Sequence, residues 1–138
     1  MTEVRRVQYF KMQVPDRPGA AARVLGVLRG AGVNLLGFSG FPRGRKGQLD
    51  FVPEDVEQFK QVAKQAKLTC SAPKECFVAQ GEDRPGAVAE VMGLLAAAKI
   101  NVTALDAVCG GQGRFGALFW VKPRDVKKAT QVLGLGVS

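Results

Sequence analysis

Asp16-Arg17-Pro18-Gly19-Ala20 recurs 67 residues later as Asp83-Arg84-Pro85-Gly86-Ala87. Each copy sets a carboxylate and a guanidinium beside a Pro-Gly step, just ahead of an apolar-striped segment. Proline fixes φ and glycine carries no side chain, so the main-chain amides of the first helical turn stay accessible and positively polarised. Such a helix end suits a carboxylate. Asp16 and Asp83 can cap those amides or accept from an amino group, and Asn34 and Asn101 offer a donor and acceptors at the mouth of the following strand. A free amino acid presents a carboxylate and an ammonium a few ångströms apart, so this set of groups is matched to it. A plainer reading stays open: Asp-x-Pro-Gly also starts helices with the aspartate acting only as a cap, and the asparagines are ordinary turn residues.

Other chemistries find little support. The chain of 138 residues has no histidine, which removes the commonest general base and metal ligand. Cys70, Cys76 and Cys109 form no CxxC pair, so structural zinc is not expected, and the thiols read as buried or idle. No paired carboxylates, nucleophile elbow or phosphate loop is present, so neither an enzyme nor a cofactor is expected. Gly111-Gln112-Gly113-Arg114-Phe115-Gly116 spells GxGxxG but lies between two predicted strands, where a dinucleotide fingerprint needs a strand before and a helix after it. The net charge is +8, and residues 1–72 hold 12 basic and 6 acidic side chains against 8 and 6 in 73–138. The dense cluster is Arg43, Arg45 and Lys46. With Arg114–Trp120, faintly like the aromatic strand of an RNA-recognition module, it keeps nucleic-acid binding as a minor alternative. No apolar run reaches the roughly 20 residues of a membrane helix, and the N-terminus has no apolar stretch behind Arg5 and Arg6, so a cytoplasmic protein without membrane contact is expected.

The elements that position these residues come from the repeat. The 67-residue offset carries Val24, Gly26, Leu28, Ala31 and Asn34 onto Val91, Gly93, Leu95, Ala98 and Asn101, and Phe10 onto Phe77. It grows to 70 at Pro53, Asp55 and Val56, which match Pro123, Asp125 and Val126, so three residues enter in between. This divides the chain into units 1–72 and 73–138. Alternation over 7–14 predicts a strand ending at Pro15. The stripe Ala21, Val24, Leu25 and Leu28 predicts a helix from Pro18 to Ala31, ended by Gly32, with Val88, Val91, Met92 and Leu95 as its twin. A second strand starts at Val33 or Ile100, and third strands are predicted over 48–52 and 117–121, with a longer hairpin turn in the second unit. A second helix starts at Pro53 or Pro123 and runs to about Ala66 in the first copy, with Val56, Phe59 and Ala63 on one side and Val126, Ala129 and Leu133 on its twin. Leu68–Ser71 and Leu135–Ser138 are the candidates for closing strands. The result is an α+β fold of two ferredoxin-like βαββαβ units, antiparallel sheets with helices on one face.

Two in-register copies, DRPGAAARVLGVLRGAGVNLL and DRPGAVAEVMGLLAAAKINVT, resemble the ACT domain signature from about Val7 onward. The resemblance implies a regulatory module that binds an amino acid between this loop and a paired domain. It carries a ligand-binding role to Asp16, Arg17, Pro18, Gly19, Ala20, Asn34 and Leu35, and to Asp83, Arg84, Pro85, Gly86, Ala87, Asn101 and Val102. It further implies a stand-alone tandem ACT protein, without a catalytic domain, that senses a small ligand and passes its state to a partner enzyme or regulator. The other reading is a purely structural pairing module. Small units with open sheet edges point to a homodimer. Lys99 stands where the family has glycine, which predicts a different helix-to-strand turn in the second copy. The first unit's loop is the expected primary site.

Overall fold

A computed structural model describes residues 2–135. Its elements run β1 (Glu3–Pro15), α1 (Ala20–Gly30), β2 (Leu35–Arg43), β3 (Lys46–Pro53), α2 (Val56–Gln65), β4 (Lys74–Glu82), α3 (Ala87–Ala97), β5 (Val102–Gly111), β6 (Arg114–Val121) and α4 (Val126–Val132), the last preceded by a 3-10 turn at Pro123–Asp125. This is the α+β, ferredoxin-like repeat. Two compact units emerge: one is Gln8–Lys74, and the other joins the described residues of Met1–Val7 to those of Glu75–Ser138.

In the unit Gln8–Lys74, β3 pairs antiparallel with both β1 and β2, opposing Phe51 to Phe10 on one side and to Phe38 on the other. Alternation then decides the faces. Phe10, Met12, Val14, Leu49 and Phe51 pack under Val24 and Leu28 of α1 and Phe59 and Ala63 of α2. Phe59 stacks on Phe10 at 4.7 Å between ring centroids and lies 5.6 Å from Phe51. A fully buried phenylalanine of this kind is worth about 1.5–3 kcal/mol in transfer alone, so this aromatic trio is the main tie between helix and sheet.

The other unit repeats the plan with β4, β6 and β5, opposing Phe77 to Phe119 at 5.3 Å and burying both beneath Val91, Leu95, Val126 and Ala129. Val4, at the start of β1, packs against this core. Arg6 fixes that segment by a 2.8 Å ion pair from Nε to Glu75 and by donating from Nη1 to the Thr130 hydroxyl at 3.4 Å. The thirteen-residue strand β1 therefore serves both units, its first residues in one and the remainder in the other.

Several expectations change. Leu68–Ser71 is not a strand, although Ser71 is bonded to β1 on both sides of Lys11: its amide donates to the Lys11 carbonyl at 2.9 Å and its hydroxyl accepts from the Lys11 amide at 3.0 Å. One side-chain bond replaces the next rung of a ladder, so pairing stops there. Of the other closing candidate, Leu135 is outside any strand, and residues 136–138 lie outside the described residues. The hairpin turns are equal in length, two residues each at 44–45 and 112–113. The bulge in β5 at 109–111, which β2 lacks, and the 3-10 turn before α4 accommodate the extra residues instead, whereas the irregularity at 102–104 has its counterpart at 35–37. Pro53 ends β3 rather than starting α2, whose cap is Asp55, accepting from the Gln58 amide at 3.1 Å. Pro123 does open a helical turn.

The turn at Lys99 matches that at Gly32. Val33 and Ile100 donate to Leu28 and Leu95, while Gly32 and Lys99 donate to Arg29 and Ala96. Lys99 adopts φ 60° where Gly32 has φ 74°. Packing of Ile100 into the core holds the lysine in a conformation it disfavours.

Candidate functional site

Both Asp-Arg-Pro-Gly copies fold the same way. Gly19 and Gly86 occupy the N-cap positions of α1 and α3 with φ of 86° and 83°, and no side chain caps either helix. Glycine is required here by its backbone conformation, since a Cβ at either position would meet nothing within 4 Å. The capping role open to Asp16 and Asp83 is not taken up, so the amides opening each helix have no side-chain acceptor.

In the first unit, Arg17, Pro18, Gly19 and Ala20 line a cavity of about 240 Å³ with Val14, Pro15, Arg23 and Val24. Asp16 is exposed and not among the lining residues. Asn34 turns to the start of α2, donating from Nδ2 to Glu54 at 3.0 Å while its carbonyl accepts from the Glu54 amide. Leu35 packs into the core. Arg23, which lies off the apolar stripe, is brought in because its amide closes the first helical bond on the Gly19 carbonyl at 3.0 Å, placing it on the turn that opens the site.

In the second unit, Asp83, Arg84, Gly86 and Ala87 line a cavity of about 400 Å³ whose far wall is Ala107, Val108, Cys109 and Phe115. Pro85, Asn101 and Val102 do not line it, Val102 packing against the core instead. Cys109 faces Asp83, and the hydrogen bond to that carboxylate, followed by burial, pushes its thiol up. This cysteine was not legible as a site residue, because only the pairing of β5 with β6, which opposes Cys109 to Phe115, brings it opposite a loop 26 residues earlier in the chain.

The two cavities differ in charge as well as in size. Arg84 is ion-paired with Glu90. That contact holds the Glu90 carboxyl below its usual range and raises the guanidinium further. The position 67 residues before Glu90 is Arg23. The first cavity thus carries two guanidinium groups with no salt-bridge partner among the described residues, and α1 has no acidic residue in its first turn. The second is neutralised from within. A residue-by-residue comparison of the copies for charge reversal was the available signal for Arg23.

Two of the minor sequence signals do not carry over to the structure. Phe115 and Phe119 of β6 are 6% and 0% exposed, inside the core, so that strand offers no stacking platform for bases. GxGxxG at 111–116 is a strand-turn-strand segment. No group of three metal-ligating side chains occurs among the described residues, and no helix among them is long and apolar enough to cross a membrane.

Comparison with known proteins bears on the fold and the family. No curated protein sequence matches the chain. Its fold is similar to that of protein BT0572 from Bacteroides thetaiotaomicron, with a TM-score of 0.79 at 17% identity over 95% of this chain and 88% of that one. It is also similar to the regulatory subunit of aspartate kinase from Thermus thermophilus in its ligand-free form, with a TM-score of 0.58 at 15% identity over 96% and 94%. A third relative in fold is the corresponding subunit from Thermus flavus, with a TM-score of 0.56 at 16% identity over 97% and 94%. Identities this low speak for the fold alone. The family is named by sequence for one unit: residues 9–67, nearly the whole first unit, match the ACT domain, and the second unit repeats the signature turn and helix of that stretch.

Proposed function

We propose that this protein is a non-catalytic regulatory module that binds a small carboxylate ligand, an amino acid first among them, at the helix-start cavity of its first unit. The observation carrying this reading is the pair Arg17 and Arg23 beside the uncapped start of α1. Two guanidinium groups and a helix N-terminus converge on about 240 Å³, a volume suited to one small molecule. The larger second cavity is the weaker candidate for an anion because Glu90 already occupies Arg84. Ligand capture would favour one arrangement of the protein over another, and a partner that distinguishes those arrangements would be coupled to the ligand. Regulatory subunits of aspartate kinase share the fold, which supports a partner enzyme as the recipient, and a homodimer is the proposed working form.

Thermal denaturation with each of the twenty amino acids tests the reading. One or a few should raise the melting temperature, by an amount that grows with concentration as RT ln(1 + [L]/Kd) requires. No shift with any of them at millimolar concentration refutes the sensor role and leaves a purely structural pairing module.

A further inference from the structure

A second concentration of positive charge lies on the helix-free face of the first unit's sheet, lining a cavity that shares no residue with the helix-start cavity. Lys11 of β1, Arg43 of β2 and Lys46 of β3 line one cavity of about 620 Å³ together with Gln13 and Gln48. None of the three cations has a salt-bridge partner among the described residues. Arg43 and Lys46 stand directly opposite each other in the hairpin. Like charges in that relation destabilise a sheet, so the pair costs stability while the cavity is empty of anions.

The second unit shows that the fold does not need this arrangement. Gly111 opposes Arg114 where Arg43 opposes Lys46, and apolar Val78 opposes Leu118 where Lys11 opposes Asp50. The cluster therefore belongs to the first unit alone. One carboxyl lies nearby. Asp50 is 4% exposed and accepts from the Gln48 side-chain amide at 2.9 Å. Burial raises its pKa, against the lowering effect of Gln48, Lys11 and Arg43, so it offsets the three cations only in part.

Phe41 opposes Gln48 in the register and stands two residues before Arg43, which places it on the same face beside the cations. Its side chain is 40% exposed. An aromatic ring on the same side of the sheet as three cations is the pairing that a phosphorylated base calls for: stacking for the ring, charge for the phosphates. The volume falls within the range of small-molecule sites, roughly 300–1,000 Å³. With one exposed aromatic on this face, there is stacking for a single base rather than a run of them.

We infer that this face binds a nucleoside di- or triphosphate, with its phosphates on Lys11, Arg43 and Lys46 and its base against Phe41. The site is separate from the helix-start cavity, and its test does not depend on an amino acid ligand. Calorimetric titration of the whole protein with ATP, inorganic pyrophosphate, adenosine and a single-stranded RNA of about ten nucleotides separates the outcomes. The inference expects ATP and pyrophosphate to bind and adenosine not to. Phe41→Ala should weaken ATP several-fold and leave pyrophosphate unchanged. Arg43→Glu should weaken both at least tenfold while leaving the melting temperature of the unliganded protein equal or higher, because it turns a repulsive cross-strand pair into an attractive one. Lys11→Met provides a second variant with the same expected loss. Failure of both ATP and pyrophosphate to bind at millimolar concentration overturns the inference. So does tight RNA binding without ATP binding, or unchanged ATP affinity in Arg43→Glu and Lys11→Met.

Discussion

Two glycines on α1 respond oppositely to the same added methyl group. Gly19 is the N-cap of the helix at φ 86°, whereas Gly26 sits in the helix interior, and a Cβ at either would meet nothing within 4 Å. Steric clash with neighbours is therefore absent from both substitutions, and only the local backbone differs. Gly19→Ala places an L-residue in the left-handed region at a cost of about 1–2 kcal/mol. Gly26→Ala removes the helix-interior glycine penalty and should gain roughly 0.5–1 kcal/mol. For a unit of this size, each kcal/mol moves the midpoint by about 4–8 °C. Gly19→Ala should thus melt about 4–16 °C lower and Gly26→Ala several degrees higher, by circular dichroism. The repeat supplies a replicate, since Gly86 at φ 83° and Gly93 stand in the same relation on α3 with equally open surroundings. Destabilisation by both members of a pair, or stabilisation by both, would refute the claim that backbone conformation alone dictates glycine in the Asp-Arg-Pro-Gly turn.

Other predictions follow from the differences between the copies. Lys99→Gly should stabilise the protein by about 1 kcal/mol in urea denaturation, because φ 60° at that turn suits glycine. Phe59→Ala should cost about 3–5 kcal/mol, since its ring joins α2 to Phe10 and Phe51. The Glu90 carboxyl, held below its usual range by Arg84, contributes stability that is present above the ordinary glutamate pKa and fades as pH falls through the lowered value. An NMR titration should show that lowered midpoint and its return towards normal in Arg84→Ala. Asp50 has the opposite sign: burial raises its pKa, so its effect favours folding below pH 3.8 and is lost as pH rises through the folded value. Asp50→Asn should flatten that part of the stability profile.

The repeat made most of the fold legible, because period-two and helical stripes occur twice and each copy checks the other. What escaped was governed by tertiary context. Nothing in Glu3–Val7 announces that Val4 will pack against the second core or that Arg6 will reach Glu75 and Thr130. Lys99 misled in the other direction, since packing of Ile100 overrides the local preference against positive φ. At the candidate site, the turn formed by Arg-Pro-Gly-Ala was readable because its conformation is local to the chain, whereas the hydrogen bond of Asn34 was not, because its partner Glu54 is 20 residues away. Arg23 was hidden by its position off the apolar stripe, although it is the residue whose reversal to Glu90 separates the two copies.

Calorimetric titration of the intact wild-type protein and of Arg23→Glu with each of the twenty amino acids tests the central claim most directly. A charge-assisted contact to a carboxylate is worth about 1.5–3 kcal/mol, so at least one amino acid should bind the wild type and lose tenfold or more in affinity in Arg23→Glu, with Glu90→Gln retaining wild-type affinity. Absence of binding by every amino acid, or equal affinity in Arg23→Glu, would contradict the assignment of the first helix-start cavity as the ligand site.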